Sequence, residues 1–301
     1  MVAGRLRRAG LAQLGLMCAW GAGWWWAGRP VLAVSGVLIV ALFQPLVLAF
    51  EFLLLRRVNR ADTAPPARAD ELLRAWGREC LVNWQVFTWR QAWCVAAQAD
   101  HLPHAADAAG LRGVVLVHGF FCNRALWNPW MQALRERGVP FVAVTLEPAF
   151  GGIDEYPAHI DAAVQRVQAA TGQAPLLVGH SMGGLAIRAW LRQGGAAARV
   201  HAVITLGTPH HGTWLARFAL APNARQMRQA SPWLSTLRQA EVVPRGVPYT
   251  CFYSHCDNIV FPASTATLAD ADNRHLRATA HVDMINHPEV MAQVWLSLVR
   301  G

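Results

Sequence analysis

The residues best equipped for chemistry lie in the second half of the chain. Ser181 sits in Gly179-His180-Ser181-Met182-Gly183, behind the apolar run Leu176, Leu177, Val178 and ahead of Leu185, Ile187, Trp190 and Leu191 at helical spacing. A strand, a tight turn and a helix in that order place a serine hydroxyl on a strained bend above a sheet edge, with glycines where strand and helix cross closely. The helix aims its free N–H groups and the positive end of its dipole at any oxyanion formed on that serine. A serine hydroxyl is a weak nucleophile that needs a base, and the base needs an orienting acid. Asp257 follows the expected strand Tyr249–Tyr253 by a few residues and is the acid candidate, ahead of Asp270, Asp272 and Asp283, none of which directly follows a strong strand. The base is His281 or His287. His281 lies between an expected last strand, His275–Ala278, and a closing helix, Pro288–Val299, whereas His287 directly precedes Pro288 and also reads as a helix-start residue; position favours His281. The structural alternatives are a solvated serine on a glycine-rich turn and an aspartate that caps local backbone.

An oxyanion requires at least two donors. The turn supplies the N–H of Met182; the second is expected from His118-Gly119-Phe120-Phe121-Cys122-Asn123, where Gly119 lets the backbone turn and the donor is the Phe120 N–H. The side chains of Phe120, Phe121, Trp214 and Phe218 either line an apolar substrate pocket or pack the core. His180, beside the nucleophile, is expected to turn away as polar support. His210 and His211 form an exposed-looking pair without carboxylates or cysteines at ligand spacing, so no metal site is expected.

These residues need a frame that brings loops to one edge. Val114–Val117, Phe141–Leu146, Leu176–Val178, Val203–Leu206 and Tyr249–Tyr253 read as strands; Leu126–Arg137, Glu155–Ala170 and Gly183–Arg192 read as helices between them. Apolar strands alternating with helices indicate a parallel sheet covered on both faces. The alternation stops at 212–248, which carries Trp214, Phe218, Met227, Trp233 and Leu234 with no strand signal, and reads as a helical cap or a long packed loop. Upstream, Asp70–Cys80 has helical spacing through Leu72, Leu73, Trp76 and Cys80. In Leu81–Trp93 the alternation of Val82, Trp84 and Val86 favours strands over a buried helix, and Val95–Leu111 reads as a loop.

The N-terminal part differs in kind. Apolar residues make up 54% of the 301-residue chain and charged residues only 15%, an excess concentrated at the start. Ala9–Gly28 and Val31–Phe50 carry no charge and are each long enough to cross a hydrocarbon core of about 30 Å. A second apolar segment directly after the first, and no small-residue cleavage site, favour a two-helix membrane hairpin over a signal peptide. Trp24, Trp25 and Trp26 fall near its turn, where indoles prefer the interface; Arg5, Arg7, Arg8 and Arg56, Arg57, Arg60 flank the open end, which places both ends and the catalytic domain on the cytoplasmic face of a bacterial-type inner membrane. The formal charge of +9, outside those clusters, is scattered, and no recognition helix or RNA-binding signature accompanies it, so no nucleic-acid partner is expected. Six cysteines without C-x-x-C pairing suit reduced thiols. The expected organisation is a membrane hairpin at 1–57, a linker and the start of the catalytic domain at 58–110, and a catalytic domain at 111–301 with its cap at 212–248.

Together, Val115-Leu116-Val117-His118-Gly119-Phe120, Gly179-His180-Ser181-Met182-Gly183-Gly184, Leu206-Gly207-Thr208-Pro209-His210-His211-Gly212-Thr213, Asp257-Asn258-Ile259-Val260-Phe261-Pro262 and the His281 region resemble the α/β-hydrolase superfamily, specifically bacterial lipase/esterase-type serine hydrolases. The likeness spans Leu111–Gly301 and omits the hairpin. It differs at Ala280, where the family usually has glycine before the catalytic histidine. The resemblance implies an α/β-hydrolase fold, acyl transfer to Ser181 with Asp257 and His281, an oxyanion hole of Phe120 and Met182, no metal or organic cofactor, and a lipid-like or small ester substrate. The same residues also suit an acyltransferase or thioesterase, or a membrane-anchored binding protein on a retired hydrolase scaffold.

Overall fold

The computed structural model describes residues 1–103, 110–240 and 247–299; parts of the expected 95–111 loop and of the cap (104–109 and 241–246) and the last two residues lie outside these. Among the described residues six strands form one parallel sheet, β1 (Val114–Val117), β2 (Phe141–Ala143), β3 (Leu176–His180), β4 (Ala202–Leu206), β5 (Tyr249–Tyr253) and β6 (Asp272–His275), in the order β2-β1-β3-β4-β5-β6. Side chains alternate across each strand, so Val114 and Leu116 face one layer and Val115 and Val117 the other. One layer holds α4 (Asn128–Glu136) through Trp130 and Met131 and α9 (Pro288–Val299) through Val290 and Val294. The opposite layer holds α5 (Pro157–Thr171) through Ile160, Val164 and Val167 and α6 (Met182–Leu191) through Leu185, Ile187 and Trp190. Burial on both faces explains why these strands read as unbroken apolar runs.

The cap region contains a 3-10 turn at Trp214–Phe218, then α7 (Pro222–Gln226) and α8 (Pro232–Ala240). It leans on the loop after β2: Asn223 Nδ2 donates to Ala149 O at 3.0 Å and Ile153 N to Gln226 Oε1 at 2.7 Å.

Two expectations fail. Leu81–Trp93 is helical, not strand: α3 (Ala69–Asn83) runs into a π-helical stretch, Trp84–Arg90, and a last turn, Gln91–Trp93. Val82 and Val86, four apart, share one helix face and pack under the sheet, while Trp84 points the other way and is exposed; residues four apart share a face in a strand and in a helix alike, and only Trp84 separates the two readings. The last strand lies at Asp272–His275 rather than 275–278. It is a partly exposed edge strand of polar residues, so it carries no apolar signal.

At the N-terminus α1 (Val2–Trp26) and α2 (Pro30–Val58) pack antiparallel across a turn at 27–29, with Gln13 Nε2 bonded to Val40 O at 3.2 Å and Trp20 Nε1 to Leu32 O at 2.9 Å. Among the described residues one helix is long and apolar enough to cross a membrane, Pro30–Ala61, with a mean hydropathy of 2.5 in its most apolar window. The basic start of α1, with Arg5, Arg7 and Arg8, is outside its apolar part. The lower end of α2 joins the catalytic domain in a third cluster, where Phe52 and Leu55 meet Ala75 of α3 and Cys256, Phe261 and Ala280.

Candidate active site

Ser181 has φ 56° and ψ −128°, a conformation disfavoured for an L side chain, at the join of β3 and α6. Such a residue stores about 1–3 kcal/mol and persists only if its surroundings over-determine it. Here Ser181 N donates to Leu206 O at 2.8 Å and Ser181 O accepts Thr208 Oγ1–H at 2.8 Å, tying the bend to the end of β4. A Cβ on Gly183 would run into the carbonyl of Val117, so only glycine lets α6 start this close to β1.

The loop after β1 lies over the serine, since a Cβ on Gly119 would stand 2.7 Å from Ser181 Cβ. His118 holds it. Its Nε2 accepts Leu146 N–H at 3.0 Å, so Nδ1 carries the proton and donates to Gly119 O at 2.8 Å. In a trans peptide this turns the Phe120 N–H away from His118. From below, the fully buried Gln91 grips the same loop: Oε1 accepts Asn123 N–H at 2.6 Å and its main-chain oxygen accepts Asn123 Nδ2–H at 2.9 Å. Met182, as the first residue of α6, offers a main-chain N–H with no partner inside the helix.

Asp257 and His281 are brought together. Asp257 Oδ1 accepts Ile259 N–H at 2.9 Å and Val260 N–H at 2.8 Å, which fixes the carboxylate; Oδ2 accepts His281 Nδ1–H at 3.0 Å. With Nδ1 protonated, Nε2 is the basic nitrogen. Both residues converge with the serine bend around Gly207, the residue after Leu206: a Cβ there would stand 2.7 Å from Asp257 Oδ2 and 3.0 Å from His281 Nδ1. His287 is half-buried at the start of α9 and accepts Glu289 N–H at 3.4 Å, the helix-start role. Asp283 is held by Arg78 at 2.6 Å, and Asp272 lies on β6 beside Arg274.

Three histidines surround Ser181, and burial separates them. It pushes His118 down to about 4 and His180 to about 3, so both are neutral near pH 7. Burial also opposes charge on His281, but the Asp257 carboxylate and its hydrogen bond outweigh that and raise its pKa. His180 turns to the His281 side, donating Nε2–H to His281 O at 3.1 Å with the rings 4.7 Å apart.

Sequence reasoning missed Glu79 and Asn258. Glu79 is fully buried on α3 and accepts Val282 N–H at 3.0 Å, Asp283 N–H at 3.1 Å and Asn83 Nδ2–H at 2.8 Å, so it grips the backbone directly after His281. Burial pushes its pKa up to about 7. Asn258 Oδ1 accepts His281 N–H at 3.3 Å and its Nδ2 donates to Glu51 Oε2 at 2.7 Å. The one signal on α3 was carboxylates at Glu71 and Glu79, in phase with Ala75; this stripe, rather than the Leu73 face, is the buried one.

The expected pocket aromatics form two groups. Phe120 and Phe121 pack on each other and on Phe150, with centroids 5.6 and 5.7 Å from the Phe150 ring. Trp214 instead stacks on Phe261 at 5.8 Å and touches Phe218, which is largely exposed. His210 is buried rather than exposed, between Arg188 and Thr205, and no group of metal-ligating side chains occurs among the described residues.

A sequence model of the alpha/beta hydrolase family matches residues 114–294. In structure the chain is similar to the mature lipase BlEst2 of Bacillus licheniformis, at 19% identity and TM-score 0.56, over 63% of this chain and 93% of that one. It is also similar to lipase B of Aspergillus fumigatus, at 21% identity and TM-score 0.58, over 65% of this chain and 54% of that one. No curated protein sequence matches it. The chain belongs to the alpha/beta hydrolase family.

Proposed function

We propose that this protein is a membrane-anchored serine hydrolase of carboxylic esters, with Ser181 as nucleophile, His281 as base and Asp257 as its orienting acid. The observation that carries the reading is the buried His281–Asp257 pair, charge-matched and joined at 3.0 Å, converging with a strained serine bend on Gly207. His281 Nε2 takes the Ser181 proton as Oγ attacks the ester carbonyl. The oxyanion is held by the N–H groups of Phe120 and Met182. The intermediate collapses, the acyl–oxygen bond breaks, and the alcohol leaves with the proton from His281. Water, deprotonated by His281, then attacks the acyl-enzyme, releasing the carboxylic acid and restoring Ser181. None of these steps draws on a metal or organic cofactor.

The α1–α2 pair is the anchor in this reading. Its apolar lengths suit a two-helix transmembrane hairpin, and the arginines at its open end place the catalytic domain on the cytoplasmic face of an inner membrane. Phe120 and Phe121, with Phe150, form an apolar wall on the loop that lies over the serine and are the acyl contact; Trp214 and Phe218 belong to a separate cluster with Phe261. The test is hydrolysis of p-nitrophenyl esters of increasing chain length by the full chain. The reading expects turnover that is lost in Ser181→Ala; no release from any ester, at any pH, contradicts it.

A further inference from the structure

The bases of the two N-terminal helices flank the Ser181 site on both sides. On the oxyanion side, Phe150 packs on Phe120 and Phe121, and the Arg5 guanidinium of α1 covers the Phe150 ring at 4.6 Å. On the acid–base side, Glu51 of α2 holds Asn258, which in turn holds the His281 N–H, while Phe52 and Leu55 pack with Ala280 and Phe261. Each helix base is therefore only one or two contacts from the reacting groups.

Beyond these bases the pair leaves the domain. Leu11–Leu16 of α1 are all exposed, and α2 is free of α3 above Pro45, whose carbonyl accepts Trp76 Nε1–H at 3.0 Å. The free lengths, 11–26 and 31–44, reach about 20–25 Å at 1.5 Å per residue. A bilayer core of about 30 Å is deeper than that, so the base of the pair, and not a point far above it, must stand at the membrane surface. The surface there is built for it. Leu81, Trp84, Trp89 and Trp93 are exposed on the helical stretch beside α1 and α2, and Arg7 lies over the Trp93 ring at 5.6 Å. Indoles favour the interface and arginines the headgroups, and Arg5, Arg7 and Arg8 lie on α1 just before its exposed length.

We infer that the site takes ester lipids resident in the protein's own bilayer, which enter sideways at the bases of α1 and α2 rather than from water. The inference rests on the ester-hydrolase reading of that site. It assigns the tryptophan apron the task of holding the mouth at headgroup depth, and the Phe120–Phe121–Phe150 wall that of receiving the acyl chain.

The experiment uses the full chain reconstituted in phosphatidylethanolamine–phosphatidylglycerol vesicles. Fluorescent diacylglycerol is placed either in the same vesicles as the protein or in separate vesicles mixed with them, and p-nitrophenyl acetate is followed in parallel. Acyl release from the shared bilayer is expected to exceed release from separate vesicles by about tenfold or more, because confinement to one surface raises the effective concentration. The double variant Trp84→Ser, Trp89→Ser is expected to lose about fivefold or more of shared-bilayer release and to keep p-nitrophenyl acetate turnover within about twofold, because both side chains are exposed. Equal release from shared and separate vesicles overturns the inference, as does p-nitrophenyl acetate turnover with no lipid release. Loss of both activities, with no labelling of Ser181 by a fluorophosphonate, instead sinks the hydrolase reading and the inference with it.

Discussion

Residues 114–294 and residues 1–93 build the site by opposite means. In the first, every chemical group comes from a segment after the C-terminal end of a parallel strand, so strand order brings the loops after β1, β3, β5 and β6 to one edge. In the second, the groups that touch the site come from helices whose partners are distant in sequence: Glu79 meets Val282 across 203 positions and Glu51 meets Asn258 across 207. The family region carries Ser181, Asp257 and His281; the N-terminal region holds the backbone on either side of His281 through Glu79 and, by way of Asn258, Glu51.

Substitutions graded by distance from the reacting atoms probe that division. Asp257→Asn carries the largest expected effect among them, a loss of about 10⁴ in kcat, because the imidazole loses its tautomer and the charge that stabilises it. His281 has to be neutral to act as a base, and Asp257 raises its pKa against burial, so the variant also moves the acid limb of the pH–rate profile to lower pH. Glu79→Gln follows, with kcat/KM down about tenfold and a smaller shift of the acid limb in the same direction, since one negative charge near His281 and one hydrogen bond to its loop are removed. A purely structural glutamate would leave the profile in place. Glu79 also gives a stability test. Its folded pKa of about 7 lies above the ordinary glutamate value of 4.5, so its contribution is fully present below 4.5 and is lost as pH rises through 7. The Tm of the wild type relative to Glu79→Gln is therefore expected to fall across that window in a thermal scan. Gln91→Ala leaves the buried Asn123 N–H unsatisfied, with an expected cost of about 1–3 kcal/mol in denaturant unfolding and a kcat loss smaller than that of Glu79→Gln. His287→Ala is the smallest, with turnover within about twofold of wild type, as suits a helix-start residue outside the Asp257–His281 pair.

The same contrast explains what the sequence revealed. The bend at Ser181 was legible because its glycines, apolar strand and periodic helix are all local, and the Asp257 and His281 positions followed from strand order. Glu79 was not, because a carboxylate on a helix reads as solvated until its partner, the turn after His281, is folded against it. Leu81–Trp93 misled because Val82 and Val86, four apart, satisfy both periods, and an exposed apolar Trp84 between them completed a strand pattern. β6 was displaced because an edge strand of Asp272, Asn273, Arg274 and His275 buries too little to need apolar residues. Trp214 was assigned to the Phe120 wall on residue type alone, whereas it packs with Phe261 in the cluster that also holds the lower end of α2.

The central claim, that Ser181 is activated by His281, is tested most directly by fluorophosphonate labelling of the full chain beside Ser181→Ala, His281→Ala and His287→Ala. The account predicts rapid labelling of the wild type and of His287→Ala, none in Ser181→Ala, and labelling slowed by about 10³ or more in His281→Ala. Labelling that survives in Ser181→Ala, or that His287→Ala abolishes while His281→Ala does not, would contradict it.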